Sequence, residues 1–202
     1  MDTDKLIRKI TKVKSGDNVP FIGRKKIDRV GMAKMFGELG FKIGAEIGVR
    51  KGDFSVHLLD AVGEDGVMTF IDPWEAWDSG TGEKFSSESA ERCYRTACDR
   101  ISKYRAKSFI KRMKGCDALD EVPDESLDFV YIDAGHSFDD AIIDIINWSK
   151  KVRPGGVVSG HDYYISYNFG VIEAVNAYTR CHNINNWYIT SERVPSWFWV
   201  KK

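Results

Sequence analysis

From Phe41 onward the hydrophobic positions switch repeatedly between two periods. Phe41–Val49 carries Ile43, Ala45, Ile47 and Val49 at every second position, which predicts a strand. Asp53–Val62, with Phe54, Val56, Leu58 and Leu59, predicts a helix, and Val67–Ile71 a second strand ending at Asp72. A helix over about 87–105 follows, with Tyr94, Cys98, Ile101 and Tyr104 on one face. Then come strands at Ser108–Met113 and Leu127–Ile132, a helix at Phe138–Val152, a strand at Gly156–Ser159 and a helix at Val171–Thr179. Trp187–Thr190 and Trp197–Val200 close the pattern as two aromatic strands. Strands alternating with helices predict a doubly wound, mostly parallel sheet covered on both faces. The last two strands have no room for a crossover helix, so they form an antiparallel hairpin at the end of the sheet.

The first 40 residues read differently. Ile27, Val30, Ala33, Phe36 and Leu39 recur at three-residue steps and predict a helix ending near Gly40. The lysine-rich stretch before it has Leu6, Ile10 and Val13 at helical spacing. It reads as a solvated terminal helix, or as an arm that closes over something. The division is therefore an N-terminal helical extension over residues 1–40 and one seven-stranded α/β domain over residues 41–202. The polar stretch from Asp78 to Lys84 is a loop, and residues 74–90, with Trp74, Trp77 and Phe85, are a candidate lid.

Composition narrows the class. The 202 residues balance 30 Lys and Arg against 30 Asp and Glu, which disfavours broad electrostatic capture of nucleic acid. No apolar run approaches the ~20 residues of a membrane span, and the N-terminus lacks the apolar core of a signal peptide. A cytoplasmic protein without membrane contact is expected. Cys93, Cys98, Cys116 and Cys181 form no C-x-x-C pair, so reduced thiols are expected rather than a zinc site.

Chemistry in such a sheet belongs at the carboxyl ends of the strands. There the sequence places Glu46-Ile47-Gly48-Val49-Arg50-Lys51-Gly52, Asp72-Pro73-Trp74, Gly115-Cys116-Asp117, Asp133-Ala134-Gly135-His136 and Gly160-His161-Asp162-Tyr163. Gly48 and Gly52 allow a sharp turn and close approach of a ligand. Their G-x-x-x-G spacing is neither the dinucleotide fingerprint nor a P-loop. Asp72 follows Glu46 by 26 residues, at a strand end where an acid accepts from ribose hydroxyls or merely caps the turn before Pro73.

Gly44 through Gly52 resembles motif I of class I S-adenosylmethionine-dependent methyltransferases, and Phe70-Ile71-Asp72-Pro73-Trp74 resembles their acidic second motif. Leu127–Ser137 and Val152–Val158 are similar to the fourth and fifth motifs. Through Gly160-His161-Asp162-Tyr163, the block most resembles the small-molecule and sugar O-methyltransferase branch, whose fold is Rossmann-like. The resemblance implies S-adenosylmethionine as cofactor. It places Glu46 at the methionine amino end, with Gly48 and Gly52 giving backbone access. Asp72 is placed on the ribose, Trp74 over the adenine, and Cys116 and Asp117 at the adenine edge, with Asp133 closing the site.

The implied reaction is methylation of a hydroxyl on a small molecule or glycan, which must also lose its proton. In metal-dependent relatives an acid after the fourth strand and an acidic pair after the fifth hold a cation. Here Asp133, His161 and Asp162 stand there, so magnesium is a poorer match than manganese. Alternatively His161 is a metal-free base, or structural. Asp133 and His161 are the candidate catalytic residues, and His136 lines the pocket or is structural. The tetrapeptide of nucleic-acid amino methylases is replaced by Asp133-Ala134-Gly135-His136, which argues against base methylation. A nicotinamide-dependent oxidoreductase and a non-catalytic cofactor-binding module remain alternatives. Exposed tryptophans would also serve a homodimer.

Overall fold

The computed structural model describes residues 2–14, 17, 19–23, 27–78, 84–166 and 169–202. Helix α1 spans Thr3–Thr11, strand β1 Phe21–Ile22 and α2 Arg29–Glu38. The alternating domain follows as β2 Ile43–Ile47, α3 Ser55–Val62, β3 Val67–Ile71, β4 Trp77–Asp78, β5 Lys84–Phe85, α4 Ser87–Ile101 and β6 Lys107–Lys111. It continues as β7 Leu127–Ile132, α5 Phe138–Lys151, β8 Val152–Gly160, α6 Val171–Cys181, β9 Trp187–Ile189 and β10 Trp197–Val200.

The main sheet runs in the order β1-β9-β10-β8-β7-β2-β3-β6. The four pairs from β8 to β6 and the pair β1·β9 are parallel, whereas β10 is antiparallel to both β8 and β9. Period-two alternation divides the core. Met68, Phe70, Phe129, Tyr131 and Phe198 face α1 to α4; Val130, Ile132, Trp197 and Trp199 face α5 and α6. Each face is buried by helices, as parallel strands require.

The expected fold class holds, with corrections to its strand count. The main sheet has eight strands, not seven, because Phe21–Ile22 pairs in parallel with β9 outside the terminal hairpin. A two-residue strand carries no period that a sequence can display. Trp77–Asp78 and Lys84–Phe85 form a separate antiparallel ribbon where a loop was expected, and residues 79–83 of that stretch lie outside the described residues. The solvated reading of the first helix also fails. Ile7 is fully buried, Asp4 accepts from the Tyr188 hydroxyl at 2.6 Å, and Arg8 donates to Asn186 at 2.8 Å. Among the described residues, no helix is long and apolar enough to cross a membrane. The four cysteines are unpaired with one another.

Candidate active site

The chain leaves β2 toward β3 and β6 on one side, then returns to build β7 and β8 on the other. The order of strands therefore reverses between β2 and β7, and a crevice opens beyond their carboxyl ends. Gly48 sits there with φ +89°, its N–H bonded to the Ile71 carbonyl at 2.8 Å. A Cβ at this position would collide with the Asp133 carbonyl, so only glycine lets the two strand ends lie together. Asp133 N–H in turn donates to the Ile47 carbonyl at 2.7 Å. Gly52, also at positive φ, backs onto Ala97 of α4.

Asp72 ties the first loop to the second. One carboxylate oxygen accepts from the N–H groups of Val49 (2.9 Å) and Arg50 (2.8 Å), the other from Trp74 N–H at 2.7 Å. The turn-capping role and a loop-organising role are thus both present. Trp74 is 3% exposed. Its indole N–H donates to the Arg50 carbonyl at 2.7 Å, and its ring meets Tyr94 edge-on. Cys116 is exposed rather than a buried small hydrophobe. Its sulfur lies 3.5 Å from an Asp117 carboxylate oxygen, and slight desolvation together with that neighbouring acid pushes the thiol pKa up.

Four titratable side chains converge on the other wall. His136 Nε2 is 2.9 Å from one Asp162 oxygen, and His161 Nδ1 is 3.3 Å from the other and 3.8 Å from Asp133. Burial alone would lower both histidines, but their bonds to Asp162 prevail and raise them. Burial works against the Asp162 charge, yet the two histidines hold its pKa well below the usual carboxylate range. Burial raises Asp133. Asp162 adopts φ +60°, a left-handed conformation that costs a non-glycine residue about 1–3 kcal/mol. Arg50 and Trp74, at the same edge of the sheet, are left-handed as well. Glu46 is 2% exposed and accepts from Ser55 Oγ; burial pushes its pKa well up.

Asp133, His136 and Asp162 each offer one ligand atom within 4.8 Å of the other two. His136 therefore stands where the sequence pattern put His161, which touches Asp162 and Asp133 but is not one of the three convergent ligand atoms. Its ring stacks on Phe169 at 4.4 Å, a contact from a distant loop that no local motif announces. Arg29 was also missed. It approaches from α2, its NH1 3.8 Å from Asp133 Oδ2 and its guanidinium 5.3 Å from the Phe54 ring centroid. Tyr131 lies beneath, its hydroxyl 3.1 Å from Ser196 Oγ. His57 stands apart in α3, tilted against Phe54, and His182 stacks on Tyr178.

A family model described as a methyltransferase domain matches residues 45–163, more than half of the chain. Among curated proteins, the uncharacterized protein y4gI of Sinorhizobium fredii is 30% identical over 97 residues; the match covers 48% of this chain and only 11% of that protein. Solved structures of similar fold include an O-methyltransferase from Bacillus cereus in complex with SAH (15% identity, 99% and 90% of the two chains, TM-score 0.60). Another is the O-methyltransferase TomG of Streptomyces achromogenes, involved in tomaymycin synthesis, in complex with SAM (13%, 99% and 88%, TM-score 0.55). A third, from Clostridium thermocellum, is named as an rRNA-methylase (12%, 87% and 98%, TM-score 0.64). At these identities the likeness is one of fold.

Proposed function

The chain belongs to the methyltransferase-domain family, and from that premise we propose that it transfers the methyl group of S-adenosylmethionine to a hydroxyl of a small molecule or glycan. The observation that carries the acceptor chemistry is the cluster of Asp133, His136, His161 and Asp162 at the ends of β7 and β8. Methyl transfer itself asks mainly for alignment: the carbon–sulfur bond breaks as the carbon–oxygen bond forms in line. A hydroxyl acceptor adds a proton to remove, and acid and imidazole groups in contact answer that need.

In this reading Asp72 spans the gap between the first loop and the ribose. Glu46 and Asp133 face the methionine ammonium, which would draw the buried Glu46 into its charged form. Cys116 and Asp117 border the adenine, while the buried Trp74 braces the first loop through the Arg50 carbonyl. The donor set of Asp133, His136 and Asp162, two oxygens and one imidazole, fits manganese, iron or zinc better than an all-oxygen magnesium site. A divalent cation held by Asp133, His136 and Asp162 would supply a lowered pKa for the acceptor hydroxyl. The chain's own part is to orient that hydroxyl and to receive its proton at the His161 imidazole.

Titration calorimetry with S-adenosylhomocysteine and with NAD tests the cofactor; binding of NAD alone would overturn the assignment in favour of hydride chemistry. A screen of hydroxylated acceptors with methyl-labelled cofactor then tests the reaction. Label transferred only to amines or nucleobases would refute the hydroxyl assignment, and cofactor binding without transfer to any acceptor would point to a binding module.

A further inference from the structure

Resting on the S-adenosylmethionine reading, we propose that Arg29 is the residue that binds the carboxylate of the cofactor's methionine group. The cofactor's amino-acid end is a zwitterion. Glu46 and Asp133 suit its ammonium but repel its carboxylate, so a cation must stand beside them. Arg29 lies within electrostatic reach of both acids.

The geometry distinguishes Arg29 from a structural ion pair. Arg8 meets Asp4 at 2.9 Å, Arg153 meets Asp128 at 2.7 Å and Arg112 meets Glu91 at 2.9 Å. Arg29 stands 3.8 Å from Asp133, beyond hydrogen-bond range, with its side chain 35% exposed. Apart from its contact with the Tyr131 hydroxyl, its fork of donors is thus held near a carboxylate without being consumed by it. That planar fork matches a carboxylate bidentately, which a lysine cannot do.

The arginine is also braced for the task. Its backbone N–H donates to Glu192 Oε2 at 2.8 Å, and the Asp28 side chain caps the same turn by accepting from Gly31 N–H at 2.7 Å. Glu192 is held in turn by Thr190 Oγ1 at 2.8 Å. The guanidinium rests over Phe54, the residue just before α3, where no side chain caps the helix. A group at the first turn of α2 is thereby fixed over the first loop of the alternating domain.

The test compares three ligands by calorimetry: S-adenosylhomocysteine, its analogue lacking only the carboxylate, and 5′-methylthioadenosine, which lacks the amino-acid end. Wild-type protein should prefer S-adenosylhomocysteine over the decarboxylated analogue by about tenfold or more, the span of one charge-assisted contact. Arg29→Gln should abolish that preference and leave 5′-methylthioadenosine unchanged, while Arg29→Lys keeps part of it. Equal weakening of all three ligands would overturn the proposal in favour of a structural role, as would unchanged binding. If Arg29→Gln does not fold, the wild-type comparison decides alone: no preference for the carboxylate refutes the assignment. Wild-type protein that binds none of the three overturns the cofactor reading itself.

Discussion

Asp72→Asn is the sharpest perturbation of the site, because it preserves shape and changes only what the two side-chain oxygens can do. The carboxylate accepts from Val49 and Arg50 with one oxygen and from Trp74 with the other. An asparagine has one acceptor oxygen, so whichever side its amide nitrogen takes must set a donor against a backbone donor. One or two charge-assisted bonds are lost, each worth about 1.5–3 kcal/mol. Partial exposure lets water replace part of this, giving an expected loss of about 2–4 kcal/mol. For a chain of this length that lowers the melting temperature by roughly 5–15 °C. Affinity for S-adenosylhomocysteine should fall at least about tenfold, through the ribose contact and the loosened first loop. Thermal unfolding and calorimetry on the same preparation read both effects. A lower melting temperature with unchanged affinity would refute the ribose role, and an unchanged melting temperature would refute the loop-bracing argument.

Asp144 gives a pH-dependent test. Burial, with Asp140 nearby, raises its pKa to about 6. The folded state then binds the proton more tightly than the unfolded state does, so stability is lost as pH rises from the unfolded value toward 6 and is flat above. The full cost is about 3 kcal/mol. Asp144→Asn should therefore stabilise at pH 8 and much less at pH 4.5; a gain independent of pH in thermal unfolding would show the charge is not the cause. Gly48→Ala should destabilise by at least the about 1–3 kcal/mol of left-handed strain, since its Cβ also meets the Asp133 carbonyl; wild-type stability in chemical denaturation would contradict that packing. If the Asp133, His136 and Asp162 group holds a cation, chelation should stop methyl transfer, manganese should restore it at least as well as magnesium, and Asp162→Asn should lower turnover without weakening S-adenosylhomocysteine binding. Full activity after chelation and in His161→Ala would leave neither a cation nor that base with a role.

The sequence displays what repeats. Leu127–Ile132 and Trp197–Val200 have the bounds expected of them, because a short, nearly unbroken run of bulky apolar residues marks a strand buried on both faces. The loops ending β2, β3 and β7 were legible since Gly48, Asp72 and Asp133 each stand at the last residue of a run or just beyond it. What was not legible depends on distant partners. Arg29 looks like any helical surface residue until Glu192 and Asp133 are brought to it. His136 gains its place from Phe169, and Trp74 reads as a free aromatic until its indole finds the Arg50 carbonyl. Strand β1 is too short for periodicity and exists because β9 offers an open edge.

The anchors of α1, β1 and the start of α2 have a consequence for biosynthesis. Thr3 bonds the Gly155 carbonyl, Asp4 the Tyr188 hydroxyl, Phe21–Ile22 pairs with Tyr188–Ile189, and Arg29 leans on Glu192. These elements thus dock onto a surface made much later, across separations of 152 to 184 residues. At usual elongation rates of about 5–20 residues per second, the N-terminal segment waits roughly 10–30 s on the ribosome before its seat exists. Ile7 and Phe21, both buried in the finished protein, stay open to solvent and to chaperones during that interval. Closing so long a loop costs little more than closing a shorter one, but it comes late.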